Sequence, residues 1–440
     1  MPRLAKILLV GTVLAFPMLA PLSAAATDQV NLGDVFSTQT LNVDTVTDTT
    51  AAVTTATGNT MLSGAETGSL NVPVVQVNGQ PDASFGNIKA KTTLTVANTS
   101  GETTVTTAAT GNSAEADISG GGSLTGTFVQ TTNGIATPLD HPPGAGLFIS
   151  AENDIYAPSG AATDMTALAQ AIANSVSIGA TGSLASPIIF QDNAASVTSI
   201  VHHVDSVEGS EAALLDYTAG TAAFTAISVG NNVSITGIAD AIGTGSSEYI
   251  HSNQYTNGAS ILAGVLMFVD DAQTVQGASA VSANNISVNN MSGDLNLTNV
   301  QTNDSYTQAD TVVGAFEFGA GSATASGVGN SALAANYGAS TEFSNSQTNN
   351  AEVVASASFS GGNSDQQSYD ATASSSAIGN GATAFSCSDC GGVIDVANNQ
   401  VNNNTISATT MVDLTGVNRS VTATATAVGN SATFYNSKPR

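Results

Sequence analysis

The stretch Val421-Thr-Ala-Thr-Ala-Thr-Ala-Val-Gly-Asn430 alternates apolar residues with threonines and then meets a Gly-Asn pair. Val421, Ala423, Ala425 and Ala427 share one parity, and Thr422, Thr424 and Thr426 the other. A strand built this way has a small apolar inner face and a hydroxyl outer face. Ala323, Ala325 and Gly327 repeat the parity before Gly329, as do Ala371, Ala373 and Ala377 before Gly379. Gly and Asn both tolerate positive φ, so the pair predicts a sharp turn. A second short strand is expected after it, as at Ser431–Tyr435 and Ser331–Ala334.

Outward from this segment, the pair recurs at Gly58-Asn59, Gly111-Asn112, Gly230-Asn231, Gly329-Asn330, Gly379-Asn380 and Gly429-Asn430. Degenerate copies are read at Ala173-Asn174 and Asn284-Asn285. Each is preceded by a glutamine with an asparagine two or three residues later. These glutamines are Gln39, Gln76, Gln130, Gln191, Gln254, Gln301, Gln347 and Gln400, with Asn42, Asn78, Asn133, Asn193, Asn257, Asn303, Asn349 and Asn402. A period of roughly 50 residues carried by small uncharged side chains describes a stacked scaffold. The expected fold is therefore all-β, an elongated β-solenoid resembling a parallel β-helix, built from these eight degenerate repeats. At about 24 residues per coil and a rise of about 4.8 Å, the rod would be on the order of 80 Å long. The Gln and Asn side chains are then either amide ladders between coils or polar turn residues.

The chain divides into an export signal at 1–26, N-terminal repeats at 27–133, a repeat region with insertions at 134–225, and C-terminal repeats at 226–440. The signal rests on Arg3 and Lys6, the apolar run Ile7 to Leu22, and the small residues Ser23 to Ala26. Within 134–225, the prolines around Asp140-His141 mark a loop and Glu208 to Asp216 a second loop or helical turn. Met165, Leu168 and Ile172 have helical spacing, so a short helix is expected there.

Removing Arg3 and Lys6 leaves Lys89, Lys91, Arg419, Lys438 and Arg440 against 33 carboxylates. That surface repels phosphate, so anionic membrane is a poor partner and no nucleic acid is expected to bind. Only 9% of residues are charged while 42% are hydrophobic, unlike a disordered chain. With no Trp and 5% aromatics, the core must be narrow.

Candidate chemistry is sparse. Cys387 and Cys390 are the only cysteines, and in an exported chain their pairing is expected to be a local disulfide. His202 and His203 are adjacent, so on a strand they point to opposite faces and do not grip one metal. No calcium-loop or nonapeptide calcium motif occurs. Asp270-Asp271 is the one adjacent carboxylate pair, and no cation lies between Lys91 and Arg419. No enzyme, metal or cofactor is expected, although polysaccharide cleavage is the enzyme reading open to a parallel β-helix.

With the export signal, the Gln/Asn repeat, Gly329-Asn-Ser-Ala332 and Gly429-Asn-Ser-Ala-Thr-Phe434 in view, the whole chain after residue 26 resembles the holdfast anchor protein D family of stalked alphaproteobacteria. The resemblance implies export to the outer-membrane surface and a non-catalytic role in holding adhesive polysaccharide to the cell. It also implies two partners, a secretion lipoprotein of the outer membrane and a small anchor subunit, with self-association open. The end segment Phe434 to Arg440 shows no alternating amphipathic strands, so no membrane barrel is expected. The alternatives are a surface adhesin using the 134–225 insertions and a curli-like amyloid subunit.

Overall fold

The computed structural model describes residues 27–79, 86–99, 101–132, 147–156, 164–203, 220–238, 247–257, 260–363, 367–387 and 392–437. These residues form parallel strands that wind into a solenoid. Each coil has three stretches. A Gln-bearing strand such as Ser123–Thr132 is followed by a short-face strand such as Phe148–Tyr156, and then by a long-face strand such as Asp164–Thr181. The Gln face and the short face lie end to end and together cover the long face. The first half of the long face packs on the short face, with Ala169, Ala171, Ile149 and Ala151 in one apolar cluster. Its second half packs on the Gln face, with Val176, Ile178, Phe128 and Ile189 in a second apolar cluster.

One repeat is one coil. Gln347 bonds Gln301 46 residues away, and Gln254 bonds Gln191 63 residues away. This corrects the coil of about 24 residues: a coil takes the whole repeat because the long face alone uses 18 residues in Glu102–Ser119. Eight rungs rising about 4.8 Å each stand about 35 Å tall, while an 18-residue strand is about 60 Å wide. The stack is thus broader than it is high, and not a rod of about 80 Å.

The expected parity holds in the core. Ala323, Ala325, Ala371, Ala373 and Ala377 are buried, and their partners in the last rung are Val421, Ala423, Ala425 and Ala427. The expected Gly-Asn turn does not form. Gly111 and Asn112 lie inside the continuous strand Glu102–Ser119 and are both buried, so the inward parity switches there. The ladder runs from Thr57↔Thr110 to Asn59↔Asn112 with an unchanged offset, skipping Gly58 and Gly111 together, so the two rungs share one local kink and neither carries an inserted residue. Positive φ is found instead at true corners, such as Gly120 and Gly121 between the long face and the Gln face.

Glycine precedes the asparagine for another reason. A Cβ on Gly329 would come within 2.5 Å of the Gly379 carbonyl and 2.7 Å of Asn349 Oδ1. Alanine occupies the position in two rungs, at Ala173 and Ala283, both fully buried. Asn284, not Asn285, is the member in register with Asn231 and Asn330. The degenerate pair is therefore Ala283-Asn284.

Met165, Leu168 and Ile172 lie on a strand, not a helix. Met165, Ala167, Ala169 and Ala171 point inward with period two, and residues 164–181 pair in register with both Glu102–Ser119 and Thr221–Ile238. The strands between 148 and 203 are ordinary rungs, paired with those before and after them. Residues 1–26, Asp140-His141 and Glu208–Asp216 lie outside the described residues.

Candidate functional site

Two columns of amides run through the solenoid between its two apolar compartments. Asn59, Asn112, Asn174, Asn231, Asn284, Asn330, Asn380 and Asn430 form the first. Each Nδ2 donates to Oδ1 of the next, at 2.7 to 2.9 Å, in seven consecutive bonds. The second column is Gln29, Gln76, Gln130, Gln191, Gln254, Gln301, Gln347 and Gln400. Each Nε2 donates to Oε1 of the preceding glutamine, at 2.7 to 2.8 Å. The two columns therefore run with opposite polarity.

A primary amide nitrogen carries two hydrogens, and the second one ties the layers together. Asn112 donates to the carbonyl of Thr131, the residue after Gln130, and Gln130 donates to the carbonyl of Ser175, the residue after Asn174. The same exchange recurs at Asn231 with Tyr255 and at Gln254 with Asn285. The columns are a wall across the middle of the coil, buried except at the ends of the stack. Every such amide needs a partner because an orphaned buried donor costs about 1–3 kcal/mol.

Gln39 is not in this column. It sits on the short-face strand Val35–Val46 and accepts from Thr54 Oγ1 at 3.0 Å, while Gln29 takes the ladder position and Asn31 pairs with Asn78. Asn42 is likewise a short-face residue, paired with Thr95. The ladder element has Gln followed by a polar residue two positions on. In two rungs that residue is Thr132 or Thr256, not Asn133 or Asn257, and its hydroxyl bonds Asn193 or Asn303. Asn133 lies outside the described residues.

A charged cluster was not anticipated. Lys91 on strand Ile88–Thr99 is in register with Glu152, and His202 on Ser196–His203 with Asp154. Lys89 Nζ is 3.1 Å from Glu152 Oε2, Lys91 Nζ is 2.9 Å from Glu152 Oε1 and also pairs with Asp154, and His202 Nε2 is 2.9 Å from Asp154 Oδ1. Burial pushes the Asp154 carboxyl up, but hydrogen bonds from His202 and Lys91 outweigh it and hold it below the usual range. Burial likewise opposes ionisation of Glu152, and bonds from Lys91 and Lys89 bring it below its ordinary value. Lys91 is raised, because bonds to Asp154 and Glu152 outweigh its own burial.

Glu152, Asp154 and His202 place three ligand atoms within 4.8 Å of one another. The Lys91 ammonium already bridges both carboxylates, so the set is an ion-paired clasp over three rungs. Its signal in the sequence was the i, i+2 pairs Lys89/Lys91 and Glu152/Asp154, each confined to one strand face.

The Gln face carries an outward patch in which Phe190 and His251 have ring centroids 6.0 Å apart. Tyr255 Oη donates to Asp304 Oδ2 at 2.6 Å, a bond that pushes the phenol up to about 12. Cys387 is disulfide-bonded; the chain's only other cysteine, Cys390, lies outside the described residues. Among the described residues no helix is long and apolar enough to cross a membrane, which says nothing of strands.

The family model for holdfast attachment protein D matches residues 83–353, more than half of the chain. The chain belongs to the holdfast attachment protein D family. That segment of the family match runs from just before the short-face strand Ile88–Thr99 to the start of Val353–Gly361, and so takes in the charged cluster and the central part of both amide columns. Comparison with curated proteins and with solved structures returned no match. The family implies a holdfast attachment role, and it suggests a cell-surface or exported protein that is structural rather than enzymatic.

Proposed function

We propose that this holdfast attachment protein anchors adhesive polysaccharide to the outer-membrane surface without catalysis, after export directed by residues 1–26. The observation that carries the reading is the family match over 83–353. The amide wall supports it. An anchor under load needs a body whose layers do not slide, and each internal rung is bonded by its wall to the rung above, the rung below and the facing layer. The outward positions of the long face are rich in Thr and Ser, as in Thr104, Thr106, Thr422, Thr424 and Thr426, and such hydroxyls hydrogen-bond sugars. A secretion lipoprotein and a small anchor subunit are the proposed membrane-side partners.

Deleting the gene and applying flow tests the role. Cells should shed adhesive material into the medium, and the intact gene should restore retention. Adhesive that stays on the deletion strain under the same flow would overturn the anchoring role. A reducing-end assay on purified protein with candidate glycans tests the non-catalytic reading, where steady release of new ends would refute it.

A further inference from the structure

The two ends of the described stack are open and chemically complementary. At the first rung, Gln29 uses one amide hydrogen on the Thr60 carbonyl, and its Oε1 accepts from Gln76. Its second hydrogen faces the side where the column has no further glutamine. Asn59 donates both hydrogens, to Val77 and Asn112, so its Oδ1 faces the same side as an acceptor. The last rung is the converse. Gln400 donates to Gln347 and Ser431, which leaves its Oε1 as the outward acceptor. Asn430 accepts from Asn380, and its Nδ2 has a 3.3 Å contact with the Gln400 carbonyl.

We propose that copies of this chain stack head to tail, the first rung of one on the last rung of another, to give a polar filament that continues the solenoid. In that arrangement Gln29 donates to Gln400 and Asn430 donates to Asn59, so both columns run on with unbroken polarity. Two first rungs facing each other would instead set Gln29 donor against donor and Asn59 acceptor against acceptor, and the strands would no longer be parallel. The backbone template is also continuous. The short-face column beginning at Val35 climbs through Ile88, Ile149, Val197, Ile261, Thr307 and Val353 to Ile406. Val35 of the next copy would follow Ile406 as the next member of that series.

The uncovered edge invites this pairing. Val421 has the inward parity of the buried Ala371 yet is 52% exposed, and the final strand Val417–Ser437, 21 residues long, pairs with Gln367–Cys387 on one edge and with no strand among the described residues on the other. Exposed parallel edges recruit further strands. A head-to-tail contact that continues the solenoid along its own axis does not close into a ring, so growth is open-ended. The net charge of −26 opposes stacking, and added salt should therefore favour it.

The test uses the purified protein without polysaccharide, so its outcome is separate from that of the anchoring role. Sedimentation and electron microscopy should find species that lengthen with protein concentration and with salt. A double variant, Val421→Lys with Ala425→Lys, charges the last rung while leaving the seven rungs before it unchanged, and circular dichroism checks that the fold is kept. Alone it should remain monomeric. Mixed at a few per cent into the wild-type protein, it should shorten the filaments, because its intact first rung adds to a growing end and its last rung stops growth. Wild-type protein that stays monomeric at all concentrations and salts overturns the proposal. So does a folded double variant that assembles like the wild type, or one that leaves wild-type filaments at full length.

Discussion

Asn231 sits at the centre of the amide wall, and replacing it by leucine isolates what that wall contributes. It is fully buried, accepts from Asn174 Nδ2 at 2.8 Å, and donates to the Tyr255 carbonyl at 2.8 Å and to Asn284 Oδ1 at 2.9 Å. Leucine has the same number and branching of side-chain heavy atoms and is somewhat larger, so no cavity is left, but one donor and two acceptors lose their partner in the interior. At about 1–3 kcal/mol for each of the three orphaned groups, less about 2 kcal/mol gained from burying a larger apolar side chain, the loss is about 1–7 kcal/mol. Asn430→Leu is the internal control. The same chemistry at the exposed last rung strands the Asn380 donor, while the Gln400 carbonyl that loses its 3.3 Å contact is exposed, so the change should cost about 1 kcal/mol. Urea denaturation followed by circular dichroism measures both, with hydrogen exchange locating the rungs that loosen. Stacked repeats unfold as coupled units, so midpoints at matched slope are the quantity to compare. Equal small shifts for Asn231→Leu and Asn430→Leu would refute the idea that the wall is held by satisfied amides. Asn231→Asp sharpens the test. An ionised carboxylate has no hydrogen for Tyr255 or Asn284, so its folded pKa must rise above the unfolded value of about 3.9. Relative to the wild type, that variant is most stable below pH ~4 and loses stability as pH climbs through the raised value.

Three further outcomes follow from the geometry. Gly329→Val should destabilise by about 2–4 kcal/mol and Gly329→Ala by about 1 kcal/mol, since alanine is already accommodated at Ala173 and Ala283; equal thermal midpoints for all three proteins would contradict the close-approach account. Asp154 and Glu152 ionise below their ordinary values, so the clasp stabilises above the unfolded carboxyl pKa and is lost as pH falls through the folded one. Asp154→Asn should flatten the acid limb of the stability profile, and an unchanged limb would show that the clasp is energetically silent. In an ultraviolet titration, one phenol should ionise near pH 12 and return toward 10 in Asp304→Asn, whereas an identical titration in that variant would remove Asp304 as the cause.

Much of the fold was legible because its signals are local. The alternation at Val421–Val428 marks a strand with an alanine inner face, and the recurrence of Gln and Asn every coil marks a stack. What misled was phase. Gln39 and Gln29 are equally good glutamines, and Gln29-Val-Asn31 has the better spacing, but only the rung register with Val74–Asn78 selects it. Gly-Asn also reads as a turn by residue type, since nothing in one rung reveals that the glycine is required by the next rung's carbonyl. The helix expected at Met165 failed for a related reason: Leu168 and Ile172 lie outward on a strand whose neighbours on both sides hold it extended.

The amino-acid sequence by itself determined the repeat, the acidic and cation-poor surface, the thin alanine core and the residue types of both columns. The tertiary structure alone decided that one repeat makes one broad coil, that the amides form an internal wall with opposed polarities, and that Lys89, Lys91, Glu152, Asp154 and His202 meet. The physical reason is that a side chain's inward or outward parity is set within a strand, over two residues, whereas its hydrogen-bond partner lies in another rung or in the facing layer. Those longer distances are fixed only when the coil closes and sets the register.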